Sequence, residues 1–329
     1  MSVQNRMLGS TGLQVSEIGM GAWQLGGDWG PITQAEADAI LRAADHAGVS
    51  FWDTADVYGG GQSESFIGAF NRANPNANRV IVTKAGRGAG LFPDGYSEAA
   101  LRDSIEASRD RLQVDTLDLL QLHCIPFDVI QRGEVFEWLQ KFKQDGLIAH
   151  FGASVETVEE AQYCMNHTGV ESLQIILNTL RQDMATEVLP QAKAQKVGII
   201  VRLGLASGLL SGKMSKTRQF AEQDHRSYNQ DGAAFHVGET FSGLPFELGV
   251  DLAEQMKAEL PQGLSLAEAS LRWLLDFDAV STIITGASKP EQIERNAAVS
   301  ALPPLSEALH ARLGEFYRNH VRRHIRGVI

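Results

Sequence analysis

Cysteine is scarce. Only Cys124 and Cys164 occur in 329 residues, too few for a disulfide framework, and the expectation is reduced thiols in a cytoplasmic protein. Long apolar runs are missing as well: none approaches the roughly 18 to 20 residues of a membrane span. The opening MSVQNRMLGSTG lacks the apolar core of a secretory signal. Basic charge is in deficit, with 29 Lys and Arg against 40 Asp and Glu and a formal net charge of −11. Nucleic acid or an anionic membrane surface requires a cationic face, so neither is an expected partner. Repeats and low-complexity tracts are absent. What the chain does have is 43% hydrophobic and 21% charged residues, enough to bury a substantial core. Its length fits either two average domains or one large barrel.

Pattern decides between these. Met7-Leu8 and Leu13–Val15 flank Gly9–Gly12 and read as a small hairpin. Eight β-branched apolar runs follow, mostly about 25 to 35 residues apart. They are Ile18–Gly21, Ser50–Asp53, Arg79–Lys84, Leu117–His123, Leu147–Ala153, Leu173–Asn178, Val197–Val201 and Val280–Thr285. Amphipathic segments separate them: Gln34–Ala47, Glu64–Asn71, Glu98–Leu112, Glu134–Gln144, Val158–Asn166, Glu187–Gln195 and Ser265–Phe277, with a last one at Ser306–Arg323. This alternation predicts an α/β fold, a single (β/α)8 barrel domain over residues 1–329. The competitor, a doubly wound sheet, tends to open with a three-glycine phosphate turn; here Gly19-Met20-Gly21-Ala22-Trp23-Gln24 lacks the third glycine. One connection is far longer than the others. Between the seventh and eighth strands lies an extra helix at Phe246–Glu259, preceded by the polar, aperiodic stretch Lys213–Gly243, the profile of a lid or binding loop.

Strand ends of a parallel barrel converge on one face, so their polar residues locate a site. The second strand delivers Asp53 and runs into Tyr58, the third ends in Lys84, and the fourth ends in His123. Each residue alone has an ordinary structural explanation, but their joint placement at one mouth does not. Reducing a carbonyl by hydride transfer leaves an alkoxide that must be protonated. A phenol of ordinary pKa near about 10 is a sluggish donor at neutral pH, and a neighbouring ammonium favours its ionisation. The expected roles are Tyr58 as general acid/base, Lys84 as its tuner, Asp53 as counter-ion to Lys84, and His123 as a donor to the substrate oxygen.

Four stretches carrying these residues resemble the aldo-keto reductase family. FWDTADVYGGGQSE holds its D-T-A-x-x-Y-G signature, and RVIVTKAG its lysine strand. LRDSIEASRDRLQVDTLDLLQLH leads to the histidine, and IITGASKPEQIERN is similar to its C-terminal cofactor segment. The resemblance implies a barrel that binds NADP(H) in extended form, with NAD(H) as the alternative, and a small carbonyl or alcohol substrate. It places Gly21, Trp23 and Asp53 beside the cofactor, and Ser154 and Gln174 on the nicotinamide carboxamide. It further puts Leu205, Gly208, Ser211 and Lys213 on the pyrophosphate, and Gly286, Ser288, Lys289, Gln292 and Asn296 on the adenosine end. Three positions depart from the family pattern: Val155 follows Ser154 where Asn is usual, Arg295 stands where many relatives carry Glu, and Arg202 is the third. Arg202 replaces the usual nicotinamide-stacking aromatic. A guanidinium can stack too, and its charge would disfavour oxidised cofactor or grip an anionic or polyhydroxylated substrate. Trp23 and Trp29, together with Tyr58 and His123, are the expected substrate contacts.

Other candidates carry less. Gly86–Gly90 lacks phosphate-loop spacing, and Gly208–Met214 is one residue short of a nucleotide-triphosphate loop. His320 and His324 are spaced as helix neighbours, but among arginines that repel a metal. No metal is expected. The resemblance also admits a cofactor-binding regulatory or assembly subunit with little turnover. A barrel hydrolase or lyase would need a metal cluster or paired carboxylates at the strand ends, and the sequence shows neither.

Overall fold

The computed structural model describes residues 3–329. Strand β1 (Asn5–Met7) pairs antiparallel with β2 (Gln14–Ser16), the hairpin expected around Gly9 and Gly12. Eight parallel strands follow: β3 (Ile18–Gly21), β4 (Phe51–Asp53), β5 (Val80–Ala85), β6 (Leu117–His123), β7 (Ile148–Ser154), β8 (Ser172–Ile176), β9 (Gly198–Arg202) and β10 (Val280–Gly286). They close into a barrel in chain order, with β10 pairing both β9 and β3.

Side chains alternate across a strand, and this parity arranges the interior. Leu8 and Val15 of the hairpin pack with the inward Phe51, Val80, Val82, Leu119 and Ile200, plugging the N-terminal end. The hairpin turn fits tightly there, since a Cβ on Gly9 would lie 2.2 Å from the Gly198 amide. Counting two residues on from the same inward set gives Asp53, Lys84, Gln121 and Arg202, the next layer up. The apolar floor and the polar mouth are therefore one pattern continued along each strand.

The helices pack outside the barrel on the larger apolar cluster. Thr33, Thr157 and Ser265 each start a helix with a reciprocal capping box to a Glu three residues on. Two expectations are corrected. The helix predicted over Glu187–Gln195 is two, Asp183–Glu187 and Leu189–Gln195. They break at Val188, just before Pro190, which cannot donate to a continuing ladder. The C-terminal helix is regular only over Glu307–Phe316, then widens through Tyr317–Val321 and tightens through Arg322–His324, so His320 and His324 do not share a helix face. The aperiodic stretch is built from short turns, His225–Tyr228, Val237–Glu239 and Phe241–Gly243, and it buries His225, Asn229, Glu239, Thr240 and Ser242. No described helix is long and apolar enough to cross a membrane.

Candidate active site

Lys84 is fully buried at the top of β5, where a bare ammonium would be prohibitively costly. All three of its protons are taken. Nζ donates to Asp53 Oδ1 at 2.5 Å, to the Thr54 carbonyl at 2.8 Å and to the Tyr58 hydroxyl oxygen at 3.1 Å. Because the phenol oxygen accepts from Lys84, its own proton remains free to be given elsewhere. Asp53 is satisfied on its other oxygen by Gln174 Nε2 at 2.8 Å and Gln121 Nε2 at 3.2 Å. Gln121 went unnoticed in the sequence, although its inward parity two residues before His123 marks it.

Burial tends to lower the Lys84 pKa, but Asp53 and Tyr58 overcome it and the value is raised; Lys84 stays an ammonium. Burial pushes Asp53 up despite Lys84. Burial likewise raises Tyr58, with Lys84 opposing and Asp53 adding to the rise. The expectation that Lys84 leaves the phenol more acidic than usual is thus corrected: desolvation is the larger effect. Burial, then the cations Arg87 and Lys84, hold His123 well below its usual pKa, so its imidazole is neutral. His123 Nδ1 is buried without a hydrogen-bond partner among the described residues, and the ring meets Tyr58 edge-on at 5.9 Å.

Tyr58 is held by three consecutive glycines with left-handed backbones, Gly59, Gly60 and Gly61 (φ 59°, 61° and 95°). A Cβ on Gly59 would lie 2.0 Å from the Gly26 carbonyl, so this turn and the Trp23–Gly26 turn meet backbone to backbone. That contact sets Trp23 parallel to Tyr58, with ring centroids 5.8 Å apart. Trp29 meets Trp23 edge-on at 5.7 Å, so of the two expected tryptophans Trp23 stands beside the phenol and Trp29 lies one ring further out.

A charged cluster adjoins the tetrad. Arg87 bridges Glu156 and Glu239, both at 2.9 Å. Arg202 pairs with Glu239 at 3.3 Å and donates to the Val155 carbonyl at 3.2 Å. Arg202 thus brings its own counter-ion. Burial alone would raise Glu239, but Arg87 and Arg202 hold it well below the carboxylate range. Burial and the adjacent Glu239 push Glu156 up to about 8. The paired carboxylates absent from the strand ends in sequence are therefore present in space, because Glu239 arrives from the insertion, where no periodicity pointed to it. Cys124, Glu156 and Glu239 bring potential metal-ligating atoms within 4.8 Å of one another. The two guanidinium groups on these carboxylates already supply the positive charge a metal would bring. Cys124 and Cys164 are both buried free thiols.

Residues 17–318 match the Aldo/keto reductase family. The chain belongs to that family. It is 29% identical to an L-galactose dehydrogenase of Arabidopsis thaliana over 314 residues, covering 92% of this chain and 90% of the relative. It is 28% identical to a probable voltage-gated potassium channel subunit beta of the same plant, covering 92% and 93%. The structure of a glycerol dehydrogenase from Gluconobacter oxydans superposes with a TM-score of 0.79 at 26% identity, covering 100% and 99%.

The residues that the family pattern points to for a cofactor lie on the same face as the tetrad. Gly21 and Gly286 are registered neighbours on β3 and β10. The Gln24 side chain fills the space beside Gly286, 2.3 Å from where a Cβ would stand, and its Oε1 is buried without a partner among the described residues. Ser154, registered beside His123 and Gln174, accepts from Cys124 Sγ at 3.4 Å. After β9 the backbone is left-handed at Leu203, Ala206, Ser207 and Gly208, and Leu205 is half-buried between them. Ser211 Oγ donates to the Gly208 carbonyl at 2.6 Å and accepts from the Lys213 amide at 3.3 Å, leaving the Lys213 side chain exposed. At the start of helix Pro290–Ala298, Gln292 Oε1 accepts from the Ser288 and Lys289 amides at 2.7 and 3.1 Å. Ser288 and Lys289 are exposed, and Asn296 is half-buried one turn beyond Gln292.

Proposed function

We propose that this chain is an NADP(H)-dependent oxidoreductase that interconverts an aldehyde or ketone with its alcohol, within one barrel domain of a cytoplasmic protein. The observation that carries this reading is the Lys84 ammonium bridging Asp53 and Tyr58 in a buried mouth. A protein that only binds a nucleotide has no use for a phenol so held.

The nicotinamide, when bound, supplies or accepts the hydride. The chain manages the proton and the geometry. Tyr58, whose oxygen already accepts from Lys84, gives its own proton to the forming alkoxide. The resulting phenolate is stabilised by the ammonium 3.1 Å away. Neutral His123 donates to the carbonyl oxygen and orients it. In the oxidative direction the same phenolate removes the alcohol proton.

The donor set suits a dinucleotide. Gly21 leaves a side-chain-free edge beside Trp23 and Asp53, the Gln24 amide covers Gly286, and Ser154 and Gln174 offer amide-pairing groups. The left-handed turn through Leu205 and Gly208, with Ser211 and Lys213, fits a diphosphate. Exposed Ser288 and Lys289, with Gln292, Arg295 and Asn296 on the following helix, fit the adenosine end and favour a 2′-phosphate. We assign Arg202 a positioning role through its fixed guanidinium plane, since Glu239 offsets the charge that would otherwise repel oxidised cofactor.

The test is an aldehyde and sugar panel with both reduced cofactors. The expected result is turnover with NADPH preferred at least about tenfold over NADH, and a Lys289→Ala variant that narrows this ratio by roughly tenfold, the value of one charge-assisted contact. The second reading, a cofactor-binding subunit, is favoured by the likeness to a potassium channel subunit beta. It predicts NADPH binding with no turnover above that of Tyr58→Phe.

A further inference from the structure

A cavity of about 520 Å³ lies on the far side of the turn that carries Tyr58. Val57 and Gly60, which flank Tyr58 in the chain, line it, whereas Tyr58, Lys84 and His123 do not. It is therefore separate from the mouth. Helix Glu98–Leu112 supplies a second wall, with Ala100, Ser104, Ala107 and Arg111 recurring at helical spacing along one face. Residues 88–91 supply a third. The small side chains of Ala100 and Ala107 leave the room. The volume falls within the range of small-molecule sites, about 300–1,000 Å³, and far exceeds the roughly 30 Å³ share of one water.

Asp56 gives this cavity its charge. Its Oδ2 accepts from Ser104 Oγ at 3.1 Å, while Oδ1 is buried with no partner among the described residues. A Cβ on Gly88 would stand 3.3 Å from Oδ2, so the glycine keeps a side chain away from the carboxylate. Helix Gln62–Ala73 brings Glu64 towards Asp56, and helix Glu98–Leu112 brings Asp103 and Arg111. Residues 88–91 bring no charge. Arg111 is spent elsewhere: its Nε donates to Glu64 Oε2 at 2.6 Å and its Nη2 to Ser108 Oγ at 3.1 Å. Glu64 and Arg111 thus offset each other, and the carboxylates of Asp56 and of exposed Asp103 are left in excess. Burial, and then the Glu64 carboxylate, push Asp56 up to about 6, and Arg111 opposes that rise only in part. Asp56 is still mostly ionised at neutral pH, without a counter-ion of its own.

A carboxylate with an unspent oxygen costs free energy when buried, and an ammonium donor recovers it. The other walls, Val57, Leu91, Ala100 and Ala107, are hydrocarbon, which suits a cation with a carbon body. A metal ion fits poorly. Hard cations gather about six or more oxygen ligands, whereas this cavity offers two carboxylates and one hydroxyl already engaged with one of them. We propose that the cavity binds an organic ammonium ion, its N–H groups held by Asp56 and its carbon chain lying along Ala100 and Ala107. This site is additional to the Tyr58 mouth and does not depend on the redox reading of it.

The test is isothermal titration calorimetry of the whole chain with n-butylammonium chloride. Butan-1-ol, of equal carbon count, serves as the uncharged control and magnesium chloride as the inorganic cation. At pH 7.5 butylammonium is expected to saturate one site, and the other two are not. Asp56→Asn should raise the dissociation constant at least about tenfold, the worth of one charge-assisted contact. Ala107→Leu, which fills the cavity with a good helix former, should abolish binding while its Tm stays within about 2 °C of wild type or rises. Lowering the pH from 7.5 to 5 should weaken wild-type binding about tenfold, because Asp56 takes up a proton. Asp56→Asn should lose that dependence, which a folding defect alone would not erase. Failure of butylammonium to saturate overturns the proposal, as does the same affinity in Asp56→Asn or in a folded Ala107→Leu. Equal binding of butan-1-ol would show that charge is not read, and saturation by magnesium instead would make it a metal site; either result rejects the assignment.

Discussion

Replacing Tyr58 with phenylalanine lowers kcat for carbonyl reduction by about 10²–10⁴-fold, the usual worth of a positioned general acid. The affinity for NADPH stays within about twofold, because the lost atom is the proton donor and not a cofactor contact; a factor of two is under about 0.5 kcal/mol. Steady-state kinetics with cofactor binding by fluorescence checks both. The wild-type pH profile follows from the same groups. Burial raises Tyr58 above its ordinary value of 10.0, so the phenol stays protonated and able to donate across neutral pH. His123 is held well below 6.5, so it adds no ionisation there. Reduction is therefore expected to be flat between about pH 6 and 8. Oxidation, which needs the phenolate, should rise with pH throughout that range.

The largest stability effect is expected at Lys84. Its side chain and that of Asp53 are 0% and 1% exposed, and removing one partner of a buried pair leaves an uncompensated charge, at a cost of about 3–5 kcal/mol. Lys84→Met should show this loss in urea unfolding, as should Asp53→Asn, which strands the ammonium. The double variant should be less damaged than the sum of the singles, by at least about 1 kcal/mol of coupling. The Lys84→Met deficit also has a direction with pH. Burial holds Asp53 above its ordinary 3.8 in the folded protein, and without Lys84 only the more weakly acting charge of Arg202 opposes that rise. The folded state then binds more protons than the unfolded one, so stability is retained at low pH and lost as pH rises above the carboxylate range. A variant whose deficit is the same at about pH 5 and pH 8 would contradict that linkage.

The barrel and the tetrad were legible in the sequence because eight apolar runs recur at regular spacing and polar residues stand at or just beyond the ends of three of them. Strand parity explains why the two go together. Phe51 and Asp53, Val82 and Lys84, Leu119 and Gln121 are each two residues apart, so the apolar floor and the polar mouth follow from one alternation, and the mouth of a parallel barrel is where strand ends meet. Residues brought from aperiodic chain were not legible. Glu239 and His225 sit in 213–243, which has no repeating pattern to say which side faces inward, yet both are buried against the site. Their placement is set by packing with Arg87, Arg202, Trp23 and Trp29, which lie 20 or more residues away in the chain. Tyr58's acidity was misread for a related reason. Sequence reveals that a lysine is near, but not how much water the fold removes, and here desolvation outweighs the charge.

The central claim is that Tyr58, Lys84, Asp53 and His123 serve hydride exchange between a nicotinamide and a carbonyl carbon. Its most direct test is isotopic: NADPH carrying deuterium at the transferable position of the nicotinamide, incubated with a turned-over aldehyde, and the alcohol analysed by mass spectrometry and NMR. One deuterium on the former carbonyl carbon is the predicted result, with none on oxygen after exchange into water and none in the Tyr58→Phe control over the same time. An alcohol without deuterium at that carbon, or equal labelling in the control, would contradict it.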